Sequence, residues 1–526
     1  MLTSIFVQAF IVTLNFQFIF LIEEGQEFWR KKGVEDLLDS INVKNNNNIA
    51  KNVIIFVGDG MGLTTITSAR IYAKGEAGFL AWEKFKHIAV LKTYSNNQLV
   101  PDSSSTGTAL FSGVKVNHKT VGVDGSVQFE DCEASLDPKV HTSTIFDWAM
   151  EAGKSTGFVT TTRVTHATPA SLYAHIASRK WESEAEMVSS NKKCKDIARQ
   201  LIEDLPGRNI KVIMGGGRQM LQSNASDRPG DPIDTWATKS GDNRDLMADW
   251  KIDKQRRNVS NAIVTNNEEL DKLSDSTEYV LGIFANGHLA QDYRRNRGPE
   301  GMPSLRNMSD KAIKLLRKNK KGYVLMVEGG LIDASHHRGH ARQALEETKV
   351  LSEAVESALS MVDLNDTLVI VTSDHSHSLS FVGYLERNKS ILGVTNIRKR
   401  APTPYTSLLY SIAGKNNFQY TIENGEKMVR RDPSLDKTED FEYSQQTGIV
   451  IDEAPHGGTD VLLYAAGPMS HLVHSVREQT FVAYLISYAA KIGPSKDLRS
   501  AAATNRHSHF IGIIVILKLC FISRFC

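Results

Sequence analysis

Three separated stretches of the chain place Asp and His where they could share a cation. In Glu328-Gly329-Gly330-Leu331-Ile332-Asp333-Ala334-Ser335-His336-His337, Asp333 and His337 stand four apart. A helical segment would point both from one face, as two ligands of a single metal must be. Ser373-Asp374-His375-Ser376-His377 sets an Asp-His pair with a further His two on, and Pro455-His456-Gly457-Gly458 holds an imidazole in a glycine-flanked loop. One such His alone would read as a hydrogen-bonded structural residue; three clusters together read as a metal centre. Asp333, His337 and His456 make one mixed nitrogen and oxygen set with a position left for substrate, and Asp59, Asp374 and His375 make a second. Ligands of this kind favour zinc, and two Zn2+ ions can clamp the attacking and leaving oxygens of an in-line displacement. Glu328, a hydroxyl such as Thr168 and a shared Asp59 form an all-oxygen set suited to one Mg2+ completed by water.

A centre of this sort needs a hydroxyl that a cation can ionise. Val100-Pro101-Asp102-Ser103-Ser104-Ser105-Thr106-Gly107-Thr108-Ala109 is the place for it. Small side chains after Ser103 let that residue open a helix, whose first amides and dipole attract an anion. Read alone, the stretch is a Ser-rich loop with Asp102 as its cap.

The elements that must position these groups follow from short apolar runs: Val53 to Val57, Gly157 to Thr161, Ile210 to Met214, Tyr323 to Val327, Leu368 to Thr372 and Val461 to Ala465. Runs of this length without alternation predict strands buried on both faces, hence a mostly parallel sheet between two helical layers. The fold class expected is α/β, a three-layer α/β/α sandwich. Ligands bind beyond the carboxyl ends of such strands, where these runs place their polar residues. Residues 383–453 break the rhythm, being rich in Lys, Arg, Asn and Pro, and read as a surface, crown-like insertion.

The two ends stand outside this pattern. Residues 1–22 carry no charge and suit a secretory signal peptide. Ser500-Ala501-Ala502-Ala503, a polar spacer from Thr504 to His509 and an apolar tail from Phe510 to Cys526 have the layout of a glycosylphosphatidylinositol (GPI) anchor signal, removed at 504–526. Lys518 and Arg524 argue against a spanning helix in that tail. The catalytic chain expected is therefore 23–503, at the extracellular face of the cell membrane, or secreted where the anchor signal is not used. Its loss of Arg506, Lys518 and Arg524 lowers the formal charge of +2 by three, to −1. That balance excludes a nucleic-acid binder working through bulk positive field. With Cys520 and Cys526 in the tail, Cys132 and Cys194 are the pair left for an oxidising compartment, and Asn224, Asn258, Asn307, Asn365 and Asn388 open five glycosylation sequons.

From about Glu27-Phe28-Trp29 to Tyr488 the sequence resembles the alkaline phosphatases, specifically their animal, membrane-anchored branch. The stretch Val100 to Thr108 is similar to the family's active-site signature. Also matching are Gly58-Asp59-Gly60-Met61-Gly62, the run from Thr160 to Pro169, Val327-Glu328-Gly329-Gly330, Thr372 to His377, and His456-Gly457-Gly458. The resemblance implies hydrolysis of phosphate monoesters of broad type at alkaline pH, with Ser103 as the nucleophile that becomes phosphoserine. It implies Arg179 as the grip on two phosphate oxygens, Asp102 as its orienter, Thr168 as the magnesium hydroxyl, and His166 and His377 behind the ligands. It implies a disulfide between Cys132 and Cys194, and a homodimer embraced in part by the amphipathic segment Gln26 to Ile41.

The sequence also departs from the family pattern. Animal relatives show Arg-Ile-Asp-His where this chain has Leu331-Ile332-Asp333-Ala334, so a side chain near the phosphate is missing. Ala285 and Met302 stand where carboxylates of a calcium site are expected, so no calcium is expected there. Two rival readings follow: a phosphodiesterase or sulfatase of the wider metal-hydrolase superfamily, and a GPI-anchored binding protein or receptor with weakened catalysis.

Overall fold

The computed structural model describes residues 24–498, save 189, 190, 192, 227, 229, 396–402 and 426. The expected leader and anchor signal lie outside the described residues. Residues up to Asn45 form a unit of their own; among the described residues it holds one helix, α1 (Gln26–Ile41), which buries none of its side chains and exposes Trp29, Val34, Leu37, Leu38 and Ile41.

The rest of the chain is built on ten strands: β1 (Asn52–Gly58), β2 (His87–Lys92), β3 (Ser155–Arg163), β4 (Val212–Gly216), β5 (Asn261–Val264), β6 (Tyr279–Ile283), β7 (Tyr323–Gly329), β8 (Thr367–Ser373), β9 (Val461–Ala466) and β10 (Val476–Glu478). They lie in the order β10-β2-β9-β8-β1-β7-β3-β4-β6-β5. All run parallel except β9, which is antiparallel to both β8 and β2. β1 shows why the sheet is buried on both sides. Val53, Ile55 and Val57 join one apolar cluster while Ile54 and Phe56 join the other, so no face is left for water.

Helices cover both faces. On the Val53 side lie α3 (Ser103–Ser112), through Leu110 and Phe111, and α7 (Phe481–Ala490), through Val482, Leu485 and Ile486. On the Ile54 side lie α2 (Leu63–Lys74), α4 (Leu305–Leu316) and α6 (Ala341–Met361), while the short α5 (Leu331–His337) links β7 to α6. This is the expected three-layer α/β/α sandwich with a mostly parallel central sheet. Between β8 and β9 the chain forms small sheets, one of three strands (Leu379–Phe381, Leu408–Gly414 and Thr447–Ile451) and three two-stranded pairs, one of which joins Ser376–His377 to His456–Gly457. A disulfide joins Cys132 to Cys194, and all five sequon asparagines are exposed. Among the described residues no helix is long and apolar enough to cross a membrane.

α6 carries one acid into this core. Glu347 is buried, and its Oε1 accepts the N–H of Asp292 at 2.8 Å. Burial, reinforced by the charges of Asp292 and Glu346, pushes its carboxyl up to about 8 from 4.5. A raised acid pKa means the folded state holds the proton more tightly, so this group's contribution to stability declines as pH rises from about 4.5 to about 8. Glu347→Gln keeps the contact with Asp292 and cannot ionise. Thermal unfolding should show the variant's advantage opening over that interval and levelling above it, at about 5 °C or more. A difference independent of pH would contradict the assignment.

Candidate active site

Strand register brings the polar residues to one level. Gly58 at the end of β1 faces Gly329 of β7 on one side and Ser373 of β8 on the other. Asp59, Gly330 and Asp374 therefore leave the sheet side by side. The glycines there are sterically required. Gly60 has φ 68°, and a Cβ on it would come within 2.6 Å of the His377 ring; one on Gly330 would come within 2.2 Å of the Thr162 methyl. The start of α5 is pinned by Thr161 Oγ1, which accepts the N–H groups of Gly330 at 2.9 Å and Leu331 at 3.2 Å. One turn of α5 then sets Asp333 and His337 on the same face, 3.3 Å apart from Oδ2 to Nε2.

The first donor set surrounds the nucleophile candidate. Ser103 Oγ lies 3.2 Å from His375 Nε2 and 3.4 Å from Asp59 Oδ1. His375 Nε2 in turn lies 3.4 Å from Asp59 Oδ1 and 3.2 Å from Asp374 Oδ2. Donors about 2.0 Å from a tetrahedral cation are separated from one another by about 3.3 Å. The spacing suits donors that share one cation.

The second set repeats it. His456 Nε2 is 3.1 Å from His337 Nε2 and 3.5 Å from Asp333 Oδ1. His337 Nδ1 donates to the Ala454 carbonyl at 2.7 Å and His456 Nδ1 to that of Pro101 at 2.8 Å. When neutral, each ring is thereby left with an Nε2 lone pair, and the two lone pairs face one another, which is favourable only with a proton or a cation between them. Against the pull of burial, Asp333 holds His337 above the ordinary imidazole range, so this ring can carry that proton, while burial and His375 push His456 well below it and keep it an acceptor. His377 Nε2 donates to Asp333 Oδ1 at 2.5 Å and fixes that carboxylate.

The third set is oxygen-rich. Asp59 Oδ2, Glu328 Oε1 and Thr168 Oγ1 are buried without a hydrogen-bond partner among the described residues, whereas Glu328 Oε2 accepts from Thr160 and, at 3.1 Å, from Thr162. Burial pushes Glu328 up to about 7. Burial and the charges of Asp374, Asp333 and Glu328 push Asp59 well above the carboxylate range. A cation would remove both penalties. His166 lies against this set, within 4.8 Å of an oxygen of Asp59 and of Glu328.

Asp102 organises the start of α3. It caps α3 by accepting the Ser104 N–H at 3.2 Å, and it also accepts the Ser105 hydroxyl at 2.9 Å and the Lys119 N–H at 2.8 Å. Arg179 Nη1 donates to it at 3.2 Å, while Nη2 donates to His166 Nε2 at 3.1 Å. Although burial opposes it, the Arg179 guanidinium and His118 hold the Asp102 carboxyl well below its usual range. Ser103 is thus the first residue of a capped helix, beside a fixed arginine.

These groups open into a cavity of about 760 Å³. Part of its wall escaped the sequence reading. Arg163 forks onto Glu182 at 2.9 and 2.7 Å and reaches Asp234 at 2.5 Å, so its donors are used within the wall. Trp236 stands beside His288 and His337, its Nε1–H given to Glu453 at 2.6 Å. Arg163 sits inside a quoted motif, but nothing in its spacing reveals those partners. Ala334 lines the cavity as well, and Ala285 and Met302 are buried, apolar side chains.

The family model for alkaline phosphatase matches residues 50–492. The tissue-nonspecific isozyme of alkaline phosphatase from Gallus gallus is 40% identical over 492 residues, covering 91% of this chain and 92% of the relative. An alkaline phosphatase of Gadus morhua is 39% identical over 90% of this chain and 99% of its own. Among solved structures, the alkaline phosphatase of the Antarctic bacterium TAB5 superposes with TM-score 0.57 at 23% identity, over 85% of this chain and all of that one. A variant of that bacterial enzyme has Mg bound in its M3 site. The alkaline phosphatase of Thermus thermophilus superposes with TM-score 0.58 at 23% identity, over 86% of this chain and 93% of that one, and the two bacterial proteins share the fold. By its match to the family model and to the animal relatives, the chain belongs to the alkaline phosphatases, hydrolases of phosphate monoesters.

Proposed function

We propose that the chain hydrolyses small phosphate monoesters of broad type at alkaline pH through a phosphoserine on Ser103, at a centre of two zinc ions and one magnesium. One observation carries the metal reading: the Nε2 atoms of His337 and His456 face each other at 3.1 Å with both Nδ1 protons given to carbonyls. Asp333, His337 and His456 would hold one zinc; Asp59, Asp374 and His375, with Ser103 in the fourth place, the other; Asp59, Thr168 and Glu328 the magnesium, the metal found in the M3 site of the bacterial variant. Once bound, such ions supply Lewis acidity that favours an ionised hydroxyl and neutralises charge on the departing alcohol.

The remaining work falls to the chain. At the start of α3 the positive end of the helix dipole attracts the phosphate. Ser103 Oγ attacks phosphorus, and the bond to the alcohol oxygen breaks as the serine ester forms. Water then splits that ester, releasing inorganic phosphate and restoring Ser103. Arg179, steadied by Asp102 and His166, presents its remaining N–H groups to the equatorial oxygens, where transition-state charge is spread. Specificity is broad because the converging groups lie at the phosphate end.

We place residues 1–22 as a leader and 504–526 as a tail exchanged for a GPI anchor, with the enzyme outside the cell as a homodimer. The exposed sequons and the Cys132–Cys194 disulfide support an oxidising, exported setting.

Three measurements test this. Ser103→Ala should lower kcat/KM for p-nitrophenyl phosphate by about 10³-fold or more while metal content is kept; full activity would mean another nucleophile. Dialysis against a chelator should abolish hydrolysis and lower Tm by about 5 °C or more, zinc with magnesium restoring both; an unchanged Tm and rate would remove the metal centre. Phosphatidylinositol-specific phospholipase C should release the enzyme from intact cells, and retention on the membrane would refute the anchor.

A further inference from the structure

The charges that line the cavity are unevenly paired. Beyond Arg179 its wall continues through His118, Lys119 and Lys180, while Asp102, Glu182, Glu186, Asp333 and Glu453 supply its carboxylates. All five carboxylates are engaged, Asp102 by Arg179, Glu182 by Arg163, Asp333 by His377, Glu186 by the hydroxyl of Thr238 and Glu453 by the indole of Trp236. The two lysines are not: neither ammonium group has an acidic partner within 4 Å among the described residues, and both rest against one ring, 5.7 and 5.8 Å from the centroid of Phe129. Their positions are set by the backbone. Lys119 gives its N–H to Asp102 at 2.8 Å, its carbonyl accepts the Arg179 N–H at 2.9 Å, and Lys180 follows Arg179 in the chain.

Lys119 also has φ 67°, a left-handed conformation that favours glycine. A side chain retained there, at the mouth of a site, calls for a purpose. Two ammonium groups held on one ring without an acidic partner leave positive charge in the cavity wall for an anion to balance. A second phosphoryl group, nearly doubly charged at working pH, meets that demand better than a single carboxylate.

We infer that Lys119 and Lys180, carried on Phe129, form a second anion subsite that receives a further phosphoryl group of the substrate, making bisphosphorylated small molecules the favoured class. This rests on the reading of Ser103 and Arg179 as the reacting end. The lysines are specificity groups and touch no reacting atom.

The test compares fructose 1,6-bisphosphate with fructose 6-phosphate on the metal-loaded enzyme and on Lys119→Gly, Lys180→Ala and the double variant. Glycine suits the backbone at 119, so folding is preserved. The wild type should prefer the bisphosphate by about fivefold or more in kcat/KM at low ionic strength, the preference shrinking as salt is added. The double variant should lose about tenfold on the bisphosphate and under about twofold on the monophosphate. Equal losses on both substrates, or no preference in the wild type, would overturn the subsite. Calorimetric binding of the same two sugars to Ser103→Ala, with and without the lysines, reads the subsite without turnover. A wild type inert toward every monoester would sink the catalytic reading, while the bisphosphate losing its binding advantage in the lysine variants would still support the subsite. The same affinity ratio in both backgrounds would reject it.

Discussion

Four carboxylates, those of Asp59, Asp333, Asp374 and Glu328, are buried together at one end of the sheet, and their mutual repulsion governs what surrounds them. Two like charges about 4 Å apart repel by roughly 4 kcal/mol at an effective dielectric of about 20, before any desolvation is counted. Protonation relieves this only by removing ligands, as the raised Glu328 and Asp59 indicate. Cations relieve it and keep the ligands. Stability at this end of the sheet and competence for catalysis therefore rest on the same charges, and the register of β1 against β7 and β8 leaves the carboxylates no route to separate.

The supporting contacts act by restricting orientation. Carbonyls of Ala454 and Pro101 hold the two imidazoles, so the path of the main chain aims their Nε2 atoms. Pro101 immediately precedes Asp102, so the segment orienting His456 also delivers the cap of α3 and the partner of Arg179. A shift in that loop would disturb His456, Ser103 and the Arg179–Asp102 pair together.

Much of this was legible in the sequence because its signals were local. β1, β7 and β8 announce themselves as unbroken apolar runs ending in polar residues, and the spacing of Asp333 from His337 is one helical turn. The less visible strands have physical reasons for being so. β2 is half-buried and mixes exposed Ile88 with buried Ala89 and Leu91; β5 and β10 are short edge pieces. The run expected at Ile210 to Met214 lies two residues later, at Val212–Gly216, because Gly216 pairs with Arg163 and extends the ladder past the apolar stretch. Interactions between distant residues left no trace: Arg163 meets Asp234 across 71 positions, and Trp236 meets Glu453 across 217. Sequence periodicity reports on burial and on neighbours along an element; it carries no information about which loops meet over a sheet edge.

That difference separates the floor of the site from its walls. The floor is made of strand ends where even a methyl group is excluded: a Cβ on Gly60 would strike His377, one on Gly62 would come within 2.5 Å of Ser376, and one on Gly330 would strike Thr162. Change there disturbs ligands and ladder at once, so the chemistry is tied to the fold. The walls include loop residues whose side chains meet one another or line the cavity, as with Trp236 and Glu453 and with Lys119 and Lys180 on Phe129, and Ala334 of α5 lines the same cavity. Substitution in them leaves the sheet intact while reshaping charge and volume around the departing alcohol. A fold held in common with bacterial proteins at 23% identity is compatible with a different choice of substrates, because the buried carboxylates and imidazoles are tied to the sheet while the side chains of the rim are not.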